Sequence, residues 1–111
     1  MSKESIYSLE DIKNKLEPIF RKFGLKRAAV FGSYARKEAS MSSDVDLLVL
    51  LDDTFELEKY LKFEAAVKRA LKKNVDILEY RCINPVMRDD ILKEAIEIYG
   101  NKRQENTPGN S

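Results

Sequence analysis

The chain contains no histidine. That absence excludes imidazole general-base catalysis and most zinc sites. A metal bound here is therefore held by oxygen, which points to Mg²⁺ or Mn²⁺. The single cysteine, Cys82, has no partner for an internal disulfide, which fits a reducing cytoplasm, and it is read as a small buried hydrophobe. No apolar run reaches the length of a membrane span. The N-terminal stretch MSKESIYSLEDIKNKLE is charged and amphipathic, unlike a signal peptide. Neither sign of charge dominates. Twenty basic residues against 19 acidic leave a formal net charge of +1, so composition argues for neither a nucleic-acid nor a membrane partner.

What is present is 111 residues, 43% hydrophobic and 35% charged, enough for one domain with a single core. Residues 1–7 read as a flexible lead-in, 8–100 as the folded domain and 101–111 (NKRQENTPGNS) as a disordered tail. Ser8 and Asp11 resemble a capping box. Leu9, Ile12, Leu16, Phe20 and Phe23 then recur at helical spacing. Pro18 is expected to kink or split that helix, and Gly24 to end it. Residues 26–31 (KRAAVF) form a first strand. Tyr34–Ala39 makes a short helix, and 44–51 a second strand placed centrally in the sheet. Asp53 with Glu56 signals a helix from Phe55 to about Lys73, with Leu57, Tyr60, Leu61, Val67 and Leu71 inward and Asn74 as its stop. VDILEY at 75–80 is a third strand. Asn84-Pro85 starts a last helix, lined by Ile91, Leu92, Ala95 and Ile98 or Tyr99 and ended by Gly100. The order α-β-(short α)-β-α-β-α describes a compact α+β domain.

The stretch from Val30 to Leu51 organises the rest. Asp44 and Asp46 start the second strand, and the period of two puts both carboxylates on one face, about 7 Å apart. Val45, Leu47, Val49 and Leu51 take the other face. Two anions beside so apolar a strand are costly unless a cation sits between them, and a divalent ion is the natural candidate. Gly32-Ser33, at the end of the first strand, offers a close backbone approach and a hydroxyl to a phosphate. Asp76, on the third strand, is the other carboxylate placed comparably. Plainer roles exist for each residue. Asp44 can cap a loop, Asp46 can pair with Arg27 or Arg36, and Ser33 can cap a helix. Arg36 suits either a phosphate contact or an ion pair holding the Asp loop. Tyr34 is read as packing or rim, while Lys26, Lys37 and the Lys-rich face of residues 59–73 are read as solvated.

GSYAR, the SDVDLLV run beginning ten residues after Ser33, and the later VDILEY together resemble the minimal nucleotidyltransferases (MNT) of the DNA polymerase β superfamily. The resemblance covers about residues 9–100, and NPVMRDDILKEAIEIYG looks like the family's last helix. One departure is Lys37, where these small proteins commonly carry glycine after GSxAR. The resemblance implies a polymerase β-like fold, a small mixed β-sheet packed with helices. It implies that Gly32 and Ser33, with Arg36, hold the triphosphate of ATP. Asp44 and Asp46 would bind one or two Mg²⁺ ions, Mn²⁺ being possible, and Asp76 would complete the catalytic and metal triad. It implies a cytoplasmic prokaryotic antitoxin that moves AMP onto a tyrosine hydroxyl of a HEPN-domain toxin, in a type VII-like toxin–antitoxin system and as part of a hetero-oligomer. The alternative is a catalytically silent antitoxin that neutralises by binding alone. The chain lacks the large added domains with which polymerases hold nucleic acid, and a second domain for a small-molecule acceptor such as an aminoglycoside.

Overall fold

The computed structural model describes residues 6–100. The expected disordered tail at 101–111, and all but the last two residues of the expected lead-in, lie outside them. Helix α1 (Leu9–Phe23) opens on the capping box foreseen above: the Ser8 hydroxyl accepts from the Asp11 N–H, and the Asp11 carboxylate from the Ser8 N–H. It closes on Gly24 in the left-handed conformation, φ +70°. Ile12, Leu16 and Phe20 form its buried stripe. Pro18 does not split it. The proline faces solvent, and the buried residues on either side hold both halves against one core.

Strands β1 (Arg27–Phe31), β2 (Val45–Leu50), β3 (Val75–Glu79) and β4 (Ile96–Tyr99) form one mixed sheet in the order β3-β2-β1-β4. β1 is antiparallel to both β2 and β4, and β2 is parallel to β3, so β2 is interior as expected. On one face Ala28, Val30, Val45, Leu47, Val49 and Val75 pack against α1 and helix α2 (Leu57–Leu71). Phe20 and Phe63 are fully buried there with ring centroids 6.2 Å apart, and burying each contributes about 1.5–3 kcal/mol. On the other face Ala29 and Leu48 meet Ile83 and Ile91, the latter on helix α3 (Pro85–Glu94). Asn84 caps α3 by accepting from the Val86 N–H, with Pro85 in the first turn.

Four expectations about elements are corrected. The last helix stops at Glu94, and residues 96–99 leave it to become the edge strand β4, paired with β1. In α2, Leu57 (72% exposed) and Leu61 (53%) lie off the buried stripe of Phe63, Val67 and Leu71, about a quarter turn or more round the helix. Its ends differ too. Glu56 takes the N-cap position, Asp53 pairs with Arg81 at 2.6 Å, and Lys72, not Asn74, adopts the left-handed cap. Cys82 ends a short 3₁₀ turn (Tyr80–Cys82) and is exposed.

The fourth correction concerns residues 34–39, which form turns and not a helix. The Arg36 N–H donates to Gly32 O, Lys37 to Tyr34 O and Glu38 to Ser33 O, an irregular set in which no ladder repeats. Lys37 stops any helix there by adopting φ +62°. A left-handed backbone costs a residue bearing a Cβ about 1–2 kcal/mol, and glycine returns part of that through its freer unfolded state. Lys37→Gly is therefore expected to stabilise the protein by about 0.5–1 kcal/mol, raising the thermal midpoint by about 2–6 °C. A melting curve checks this. No change or a fall would mean that the Lys37 stem contributes packing that offsets the backbone cost.

Candidate active site

Strand register assembles the site. Asp46 lies opposite Phe31, the last residue of β1, so its carboxylate meets the chain where Gly32 begins the turn. In the parallel pair Asp46 is also the register partner of Asp76. Neighbouring strands lie about 4.8 Å apart, and equivalent positions share a face, so these two carboxylates stand side by side. Asp44, two residues before Asp46, falls on the same face. The opposite face of β2 is wholly apolar, as the alternation foretold: Val45, Leu47 and Val49 have no exposure.

A cleft of about 470 Å³ brings all six sequence-predicted residues together: Gly32, Ser33, Arg36, Asp44, Asp46 and Asp76. Its remaining wall includes Met87, Asp90, Ile91 and Glu94 of α3. Those four were missed as site residues, although their spacing, at i, i+3, i+4 and i+7, marks one helix face. The helix N-terminus expected beside Ser33 is absent with the short helix, so no dipole assists an anion there. The Gly32 N–H instead donates to Glu94 Oε2 at 2.8 Å, and Arg36 Nη1 donates to Glu94 Oε1 at 3.0 Å. Arg36 also holds Glu38 at 3.0 Å, and these two partners keep the guanidinium firmly charged. Arg27 pairs with Glu97 across to β4 and lies over the Tyr80 ring. Neither arginine ion-pairs with Asp44, Asp46 or Asp76, so the plainer ion-pair reading of Asp46 fails. Tyr34 is buried, 4% exposed, as a packing residue.

The cleft gathers five carboxylates (Asp44, Asp46, Asp76, Asp90 and Glu94) against one guanidinium. Partial burial pushes the Asp46 carboxyl up to about 6, with the charges of Asp76, Asp44 and Glu94 adding to the rise and Arg36 opposing it. Such a site is short of positive charge. Among the described residues no three acidic, Cys or His side chains close around a common point. The aspartate oxygens lining the cleft are hard donors of the kind Mg²⁺ takes. The oxygen-only donor set excludes the soft metals.

Comparison with known proteins agrees with the geometry. The model of the polymerase beta nucleotidyltransferase family matches residues 14–104. The chain belongs to that family. A Methanocaldococcus jannaschii protein, provisionally named a protein adenylyltransferase, is 40% identical over 91 residues, covering 82% of this chain and 98% of that one. The protein adenylyltransferase MntA of Thermococcus cleftensis is 29% identical over 98 residues, covering 85% and 99%. A solved structure described as a minimal nucleotidyltransferase superposes with a TM-score of 0.70 at 34% identity, covering 81% of this chain and 95% of that one. A complex of the Shewanella oneidensis MNT antitoxin with its tri-AMPylated HEPN toxin contains a chain of the same fold, TM-score 0.64 at 22% identity, covering 84% and 73%. The resemblance drawn from GSYAR, SDVDLLV and VDILEY, and the fold it implied, are thus borne out. The domain places Asp46 of β2, and Asp44 just before that strand, in the same cleft as the Gly-Ser turn. Among the described residues no helix is long and apolar enough to cross a membrane.

Proposed function

We propose that this nucleotidyltransferase moves AMP from ATP to a tyrosine hydroxyl of a HEPN-domain toxin and so acts as its antitoxin. The observation that carries the reading is the register pairing of Asp46 with Asp76 directly beside Gly32-Ser33. Relatives named protein adenylyltransferases supply the acceptor class. The Shewanella complex with its AMPylated HEPN toxin supplies the partner class.

Gly32 and Ser33 hold the triphosphate, the glycine by admitting it close to the backbone and the serine through its hydroxyl. Arg36 adds a charged donor at the same edge. Asp44 and Asp46 are the residues that would hold Mg²⁺, which when bound neutralises phosphate charge and polarises the α-phosphorus. The tyrosine oxygen attacks that phosphorus in line, the bond to the β-phosphate oxygen breaks, and pyrophosphate leaves. Asp76, exposed at the cleft edge, takes the hydroxyl proton. Catalysis by positioning and charge needs no histidine. One observation favours the silent-antitoxin alternative: Val86 and Met87 expose apolar side chains beside the cleft, 87% and 53%, as a purely docking surface would.

The deciding experiment incubates the protein with ATP labelled on the α-phosphate, Mg²⁺ and its co-expressed HEPN partner, with intact-mass spectrometry as the readout. A mass gain of one or more AMP units on the partner, absent with the Asp44→Asn/Asp46→Asn double variant, is expected. A partner that stays unmodified with every nucleotide, yet binds tightly, would replace the transferase by the binding-only antitoxin.

A further inference from the structure

Glu94 occupies an anion's place. Its carboxylate accepts from the Gly32 N–H (2.8 Å) and from the Arg36 guanidinium (3.0 Å), the two donors at the cleft edge that a phosphate would require. Gly32 is buried, and a buried N–H without an acceptor is costly, so the bare protein has a physical reason to fill this position. A carboxylate and a phosphate are interchangeable acceptors for a backbone N–H paired with an arginine fork.

We propose that Glu94 is a displaceable latch: its carboxylate takes the donors that a nucleotide phosphate would use and must leave before the triphosphate is seated. This rests on the reading that the cleft takes a nucleoside triphosphate. The geometry allows the exchange without moving the fold. Glu94 is the last residue of α3, and the helix end beyond it is closed by the Ala95 N–H donating to Ile91 O, so only the side chain need rotate. Its side chain is 28% exposed and has solvent to turn into. Arg36 keeps Glu38 as a second partner and so remains anchored when Glu94 departs. The incoming phosphate takes over both hydrogen bonds, and no buried donor is left bare. Glu94 is thus a residue that sets nucleotide affinity and touches none of the reacting atoms while doing so.

A ligand that binds only the open form has its affinity reduced by the open fraction. If the latched form is favoured about tenfold, removing the latch tightens binding by about tenfold. The test measures binding of AMP-PNP and, separately, of inorganic tripolyphosphate to the full chain in Mg²⁺, comparing wild type with Glu94→Gln and Glu94→Ala. Glutamine preserves shape and can still accept from the Gly32 N–H, but it loses the charge-assisted bond to Arg36. Glu94→Gln guards against a misfolded alanine variant, and melting curves confirm that each is folded. Tighter binding of both ligands by both folded variants is expected, about tenfold for alanine and less for glutamine, with KM for ATP falling and kcat not rising in proportion. Unchanged or weaker binding by the variants, while wild type binds, would overturn the latch and make Glu94 a residue that orients Arg36. Failure of every form to bind either ligand would overturn the latch together with the nucleotide reading.

Discussion

In the absence of divalent cation, Asp46→Asn is expected to melt above wild type at pH 7.5 while losing nucleotidyl transfer. The reason lies in where its carboxyl titrates. Burial and three like charges raise it from an ordinary 3.8 to about 6, so the native state binds this proton more tightly than the unfolded chain does. The group's contribution to stability is therefore fully present below about pH 4 and lost as pH rises through about 6. At pH 7.5 the wild-type carboxylate is ionised in the cleft, and asparagine restores what that ionisation removed. A two-unit rise corresponds to about 3 kcal/mol for a fully buried group. Asp46 is only partly buried, so solvent screening reduces the expectation to about 1–2 kcal/mol, or about 4–10 °C in the thermal midpoint.

At pH 4.5 the native wild-type group is protonated while the unfolded one is still largely ionised, so the gap between the two proteins should shrink to about a third. Mg²⁺ should then reverse the ranking at pH 7.5, because a ligand that binds only the folded state stabilises it, and asparagine removes one of its two proposed anchors. Loss of several kcal/mol of charge stabilisation at phosphorus corresponds to a fall in transfer of at least about 10³-fold. Melting curves with and without Mg²⁺ at the two pH values, beside the AMP-transfer assay, check all three expectations. A variant that melts below wild type at pH 7.5 without cation would show that the ionised Asp46 is already compensated in the native cleft.

Much of this arrangement is legible in the sequence. The apolar alternation Val45-Leu47-Val49 fixes which face of β2 is buried and hence that Asp44 and Asp46 share the other. The Ser8–Asp11 box, Gly24 and Asn84-Pro85 are local signals, and each acts at the position where it was read. The misreadings have a common cause, the dependence of a segment on something distant. Ile91, Ala95 and Ile98 fit a helical stripe, yet Ile96 and Ile98 are β-branched, and pairing with the open edge of β1 decides for a strand. Cys82 follows a composition trend and yields to the 3₁₀ turn that points it outward. Glu94 was invisible for the strongest reason. Its role consists of a bond to a backbone N–H 62 residues away, and no local pattern announces that.

Gly32→Ala is expected to damage both fold and site, and comparison with Gly24→Ala separates the causes. Both glycines adopt left-handed backbone, φ +74° and +70°, so both substitutions incur a backbone cost of about 1–2 kcal/mol. They differ in what a Cβ meets. At Gly24 there is open space, whereas at Gly32 the new methyl collides with the Asp46 carboxylate. The nearest atoms are the end of the Asp46 side chain, so the clash is relieved by turning that carboxylate out of its place beside Gly32 and Asp76. Gly24→Ala should therefore lose only about 1–2 kcal/mol and keep full transfer activity. Gly32→Ala should lose more, about 2–3 kcal/mol, and transfer at least about a hundredfold less well, since an ångström of misplacement at a reacting centre has that effect. Denaturant unfolding and the AMP-transfer assay on both variants decide the matter. Equal stability losses would mean that Asp46 yields to the methyl group without cost. Retained transfer in Gly32→Ala would mean that the close approach of Gly32 to Asp46 serves packing and not the chemistry.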